Sequence, residues 1–154
     1  MSAWFADRRD AGRRLGERLR DLSGGWPADP IVLALPPGGV PVAVEVAREL
    51  GAPMDVLVAR PVGAPGQPDA VVGAIAGDAP PLFDRRALKS LGLTPRDLDA
   101  EVTRARAELG HRERLYWQHR PAPPLKGRSV VLVDDGLTIA LMACAGLRLI
   151  NHTA

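Results

Sequence analysis

An apolar run, residues 130–133, ends on two adjacent acids, Asp134 and Asp135, and then a glycine, Gly136. Neighbouring carboxylates repel one another and burial raises the cost of both, so such a pair calls for a cation or for hydroxyl donors. A ribose diol with Mg2+ nearby supplies both, which makes Asp134 and Asp135 candidate metal ligands as well as sugar-binding groups. Gly136 permits a tight turn and close approach of the backbone, and the N–H groups that open a following helix would face an anion. The chemistry described is that of a sugar phosphate. An aspartate capping a helix and a glycine turning the chain would account for the same residues.

Other chemistries find little support. His111, His119 and His152 are the only histidines, and their spacing makes no metal site. Cys144 is the single cysteine, which excludes an internal disulfide and a thiolate cluster; flanked by Ala143 and Ala145 on an expected helix, it reads as a packed core thiol. The stretch "PPGGVP" is no dinucleotide-binding G-x-G-x-x-G, and no glycine-lysine-serine or glycine-lysine-threonine is present. The formal net charge is only +2, and arginines alternate with acids in "EVTRARAELGHRERLYWQHR", the pattern of a solvated face rather than a nucleic-acid surface. A slightly basic balance suits a small anionic ligand. No run is long and apolar enough to span a membrane, and "MSAWFADRRDAGRR" lacks the apolar core of a signal peptide, so a cytoplasmic setting is expected.

The elements that must position the acid pair follow from periodicity. Residues 6–22 read as a helix with Ala11, Leu15, Leu19 and Leu22 on one stripe. Residues 31–35 form a short buried-type strand, residues 40–50 a helix with Pro41 in its first turn and Gly51 at its end, and residues 54–59 a second strand. Strand, helix, strand is the unit of a parallel α/β sheet. Residues 61–70, rich in proline and glycine, read as a flexible loop, and residues 71–77 as a weaker strand. A short helix stops at Gly92; Thr94, Pro95 and Asp97 then open a long helix over 95–118 with Leu98, Val102, Ala105, Leu109 and Tyr116 on its stripe and Glu108 paired with Arg112. Residues 130–133 are a third strand and residues 138–149 a last helix, in one domain spanning 1–154. In an open parallel sheet, ligands bind just beyond the carboxyl ends of the strands, where Asp134 and Asp135 fall.

"VVLVDDG" in this setting resembles the phosphoribosyl-pyrophosphate signature of the type I phosphoribosyltransferases. "FADRRDAGRRLGERL", "ALPPGGVPVAVEVARELGAPMDVLVARPVGAPGQPDAVVGAIA" and "RERLYWQHRPAPPLKGRSVVLVDDG" are similar to successive segments of a bacterial subfamily, so the resemblance covers nearly the whole chain. It implies an α/β, three-layer, mostly parallel sheet, here lacking the usual C-terminal strand or strands, with a partner chain expected to finish the edge as a homodimer. It implies transfer of a 5-phosphoribosyl group from phosphoribosyl pyrophosphate to a nitrogenous acceptor, with Mg2+. Asp134 and Asp135 would hold the ribose hydroxyls, Arg60 and the backbone at Gly38 and Gly39 the pyrophosphate, and the loop Gly136, Leu137, Thr138, Ile139, Ala140, Leu141 and Met142 the 5′-phosphate. Gly39 as a plain helix entry and Arg60 as a solvent-facing residue fit the same positions.

The sequence departs from the pattern at three places. Thr138 to Met142 read Thr-Ile-Ala-Leu-Met where the family typically has Ala-Thr-Gly-Ala-Thr; Pro37 replaces an arginine; and Val62 stands near an expected lysine. The alternative is therefore a non-catalytic protein that keeps the fold and binds a nucleotide or sugar phosphate, or regulates another protein.

Overall fold

β-Branched and leucine side chains make residues 30–34 the central strand of a parallel sheet. In a computed structural model, which describes residues 4–22, 29–118, 120–136 and 140–153, the chain divides into two compact units. The first comprises residues 1–57, 123–137 and 153–154. It contains α1 (Arg8–Arg20), β1 (Pro30–Ala34), α2 (Gly39–Leu50), β2 (Met54–Val56) and β6 (Ser129–Val133). Its sheet has the order β2-β1-β6, all parallel, with β1 paired to β6 from Pro30↔Ser129 through Ala34↔Val133. Both neighbours cover β1, and its residues 31–34 are buried, as a continuous apolar run requires. α2 lays Val42, Ala43, Val46 and Ala47 on Val32, Ala34 and Val133, the apolar core of this unit.

The expected α1 stripe is corrected. Leu19 packs partly buried against the core, but Leu15 and Leu22 are exposed, and the fully buried positions are Asp10, Gly12 and Gly16. A Cβ on Gly12 would lie 2.4 Å from the Val42 carbonyl oxygen, and one on Gly16 2.6 Å from Glu49 Cβ. The two helices thus touch backbone to backbone, which glycines spaced by four allow and leucines do not. Arg20 pairs with Glu49 at 2.9 Å further along. Contacts that advance together from Gly12–Val42 to Arg20–Glu49 show that α1 and α2 run in the same direction, so their first turns lie at the same end.

The second unit comprises residues 58–122 and 138–152. Its sheet is antiparallel, in the order β3-β4-β5, from β3 (Ala59–Ala64), β4 (Gln67–Ala76) and β5 (Leu82–Phe83). The second expected strand, 54–59, therefore stops at Val56, and Ala59 opens a different sheet. Residues 61–70, expected as a flexible loop, supply both arms of the β3–β4 hairpin and its turn. The signal is Pro65-Gly66: proline presets the first central position of a tight turn, and Gly66, at φ 71°, takes the left-handed second. α3 (Arg85–Leu91) runs from an Asp84 cap to Gly92, and Thr94 and Asp97 form the expected reciprocal cap. The first turn, Pro95–Leu98, is a 3₁₀ turn that leads into α4 (Asp99–Trp117). Leu98, Ala105 and Leu109 of the expected stripe are buried, whereas Tyr116 is exposed. Arg106 ties α4 to the end of β4, donating to the carbonyls of Gly77 and Ala79 at 2.9 and 2.8 Å. α5 (Ala140–Thr153) buries Ala145 and Ile150. Cys144, expected in the core, is exposed, because it lies one residue off that inward face. Among the described residues no helix is long and apolar enough to cross a membrane.

Candidate functional site at the end of the parallel sheet

The end of β6 is built by the turn that joins β1 to α2. Leu35 extends the β1–β6 pairing by donating its N–H to the Val133 carbonyl at 2.9 Å. The chain then turns through Pro36, Pro37 and Gly38, with a cis bond between the prolines, and the Gly39 N–H donates back to the Leu35 carbonyl at 2.9 Å. A Cβ on Gly39 would lie 2.6 Å from the Val133 carbonyl oxygen and 3.1 Å from Asp134 Cα. A Cβ on Gly38 would lie 2.4 Å from both carboxylate oxygens of Asp135. Gly38 is helical, at φ −68° and ψ −35°. The need for glycine at this position is thus one of space. The Gly39 N–H, which the sequence reading turned toward an anion, is engaged with Leu35.

Asp135 sits where the first turns of α1 and α2 meet the end of β6. Its Oδ2 accepts from Arg8 Nε at 2.8 Å and lies 2.7 Å from a terminal nitrogen of the same guanidinium. The positive ends of two helices and this arginine favour an anion there. Asp134 is half-buried, and its Oδ1 accepts the Asp135 N–H at 2.9 Å. Burial first, and then the charge of Asp135, push the Asp134 carboxyl above its ordinary value, against the lowering effect of that N–H. The pair thus combines one carboxylate neutralised by an arginine with one that, among the described residues, accepts from a main-chain N–H and is paired with no cation.

Gly38, Gly39, Asp134, Asp135 and Gly136 therefore belong to one locality of the first unit. Leu137, Thr138 and Ile139 lie outside the described residues. Ala140, Leu141 and Met142 form the first turn of α5, where main-chain N–H groups have no intrahelical partner. They belong to the second unit, as does Arg60. Arg60 on β3 pairs with Glu108 on α4 at 2.7 Å, closer than the expected Glu108–Arg112 pair at 3.6 Å. Its Nε is buried without a hydrogen-bond partner. Arg60 and Glu108 line a cavity of about 410 Å³ with Glu101, Arg104 and the hairpin residues around Gly63. Asp69 is exposed on β4.

Arg8 was missed by the sequence reading. A signal was present: an arginine opening a helix opposes the helix dipole, so it needs an acid elsewhere.

Among the described residues, no three His, Cys, Asp or Glu side chains are grouped so as to hold a metal ion. Two adjacent carboxylates still suit Mg2+, which commonly takes one or two from the protein and completes its shell with phosphate oxygens and water.

A family model described as "Phosphoribosyl transferase domain" matches residues 8–151. A Mycobacterium tuberculosis protein named "Putative phosphoribosyl transferase", found in strains CDC 1551 and H37Rv, is 41% identical over 141 residues, which are 92% of this chain. The matched part is 31% of that relative's length, so the chain spans about a third of it. The crystal structure of TT1426 from Thermus thermophilus is similar at 40% identity with a TM-score of 0.77, covering 97% of this chain and 70% of that one.

Proposed function

We propose, from the fact that this chain belongs to the phosphoribosyl transferase domain family, that Asp134 and Asp135 bind the ribose of phosphoribosyl pyrophosphate and that its 5-phosphoribosyl group passes to a nitrogenous acceptor. The observation that carries the reading is the acid pair just past the carboxyl end of β6, with Asp135 seated on Gly38 at the start of α2. Carboxylates accept from the ribose hydroxyls and hold the sugar while its C1–O bond to pyrophosphate breaks. A C1–N bond forms to the acceptor, pyrophosphate leaves with the bonding pair, and the acceptor nitrogen releases its proton to water. Carboxylates below the sugar favour the oxocarbenium-like charge of that transition state. Mg2+, when bound, supplies charge neutralisation to the departing pyrophosphate. Asp134, half-buried and only partly compensated, is the carboxylate best suited to it. Assigning Arg60 to the pyrophosphate rests on the family resemblance, and requires its guanidinium to leave Glu108. A cytoplasmic setting and a homodimer complete the proposal; a single-chain mass by sedimentation equilibrium would remove the dimer.

One observation favours a second reading, binding without transfer. Ala140, Leu141 and Met142 stand in the first turn of α5, where they offer an anion main-chain N–H groups but no hydroxyl. Calorimetric titration with phosphoribosyl pyrophosphate, with and without Mg2+, tests both. Mg2+-dependent binding that disappears in Asp134→Asn/Asp135→Asn is expected. No heat from a folded chain would overturn the ribose site. Binding with no pyrophosphate release across a panel of nitrogenous acceptors would favour the second reading.

A further inference from the structure

Arg8 stands at the first position of α1, directly after its cap Asp7, where a positive charge opposes the helix dipole. Its position is held from several sides. Asp7 accepts the Asp10 N–H at 2.8 Å, buried Asp10 accepts the Ala6 N–H and the Arg13 and Arg14 guanidinium groups, and Gly12 and Gly16 press α1 onto α2. The helix thereby delivers an arginine to Asp135, 127 residues away in sequence. Both contacting nitrogens converge on one oxygen, Oδ2, at 2.8 and 2.7 Å. A divalent cation chelated by both oxygens of Asp135 would have to displace the guanidinium. A sugar hydroxyl needs only the other oxygen.

We propose that Arg8 is a positioning residue, the built-in counter-ion of Asp135. It opposes chelation of a bare divalent cation by that carboxylate and leaves one oxygen for a sugar hydroxyl. Asp135 then serves the diol, and a cation enters with the ligand's own phosphates. The inference rests on the reading of the acid pair as a ribose and cation site.

The probe is Mn2+ alone, titrated into the full chain and followed by the electron paramagnetic resonance of the free ion. Arg8→Gln is expected to bind Mn2+ about three- to fivefold more tightly than the parent chain, the scale of a partly exposed ion pair. Arg8→Lys, which keeps the charge but loses the fork, falls between the two. Arg20→Gln removes the same charge from the other end of α1, where Arg20 pairs with Glu49, and leaves Mn2+ affinity unchanged. Adding Asp135→Asn to Arg8→Gln abolishes the gain. A merely structural latch would move the melting temperature and not the metal affinity. Equal or weaker Mn2+ binding by Arg8→Gln overturns the proposal, as does an equal gain in Arg20→Gln or no bound Mn2+ in any variant. A parent chain that ignores phosphoribosyl pyrophosphate while Arg8→Gln still gains Mn2+ removes the transferase reading and leaves the counter-ion standing, so the two failures are separable.

Discussion

Each unit contains an arginine–carboxylate pair that joins two elements, and the two pairs are buried in opposite senses. In the first unit the Arg8 side chain is 61% exposed and Asp135 27%; in the second Arg60 is 24% exposed and Glu108 48%. The more buried partner is the acid in one and the cation in the other. A group held by the surrounding fold keeps its place when its partner is lost, whereas the exposed partner is free to leave. The first unit is therefore organised around an acceptor and the second around a cation. That difference leaves Asp135 in place as an acceptor when Arg8 departs, and leaves Arg60 in place as a cation when Glu108 departs.

The largest effect separates two adjacent glycines of the acceptor site. Gly39→Ala drives a Cβ into the Val133 carbonyl and toward Asp134 Cα, both backbone, and is expected to lower stability by about 2–3 kcal/mol in urea unfolding. Gly38→Ala has a helical backbone that alanine adopts, and meets only the Asp135 carboxyl group. Its stability should stay within about 0.5 kcal/mol of the parent while phosphoribosyl pyrophosphate binding weakens. Equal losses of stability in the two variants would show that this turn has no division between fold and site.

Next in size is a test of the two ion pairs. Glu108→Ala leaves the more buried Arg60 without its carboxylate, and a loss of about 1–2 kcal/mol is expected. Arg8→Gln removes the exposed member of its pair and should cost less than about 1 kcal/mol. Chemical denaturation of both variants in parallel checks this, and a reversed ranking would break the comparison.

The smallest effect concerns acid. The Ala6 N–H first, and then Arg14 and Arg13, hold the Asp10 carboxyl below its ordinary value. A depressed folded-state value means stability that is present above the unfolded value, about 3.9, and lost as pH falls through the folded one. Asp10→Asn should therefore flatten the acid limb of the melting temperature against pH below about pH 5. A parallel acid limb in the variant would show that Asp10 does not anchor the start of α1.

Much of the fold was legible because it rests on short-range patterns. β1, α2 and β6 were expected within one residue of where they lie, since strands of a parallel sheet read as continuous apolar runs, buried in β1 and partly buried in β6, and glycine ends a helix at Gly51. The Thr94–Asp97 cap was readable for the same reason. The hairpin was not, because composition rich in proline and glycine describes a loop and a tight turn alike. The α1 stripe misled because Gly12 and Gly16 carry no hydrophobic signal, although close helix approach selects for them.

Sequence alone determined that two acids and a glycine follow an apolar strand, and hence where the proposed sugar-phosphate site would lie. Order along the chain suffices for that, since strand, turn and charge are contiguous. Only tertiary structure decided which acid is already neutralised, why Gly38 and Gly39 are glycines, and that Arg60 faces Glu108. Each depends on residues brought together from distant parts of the chain, where distance in space and not spacing in sequence sets the interaction.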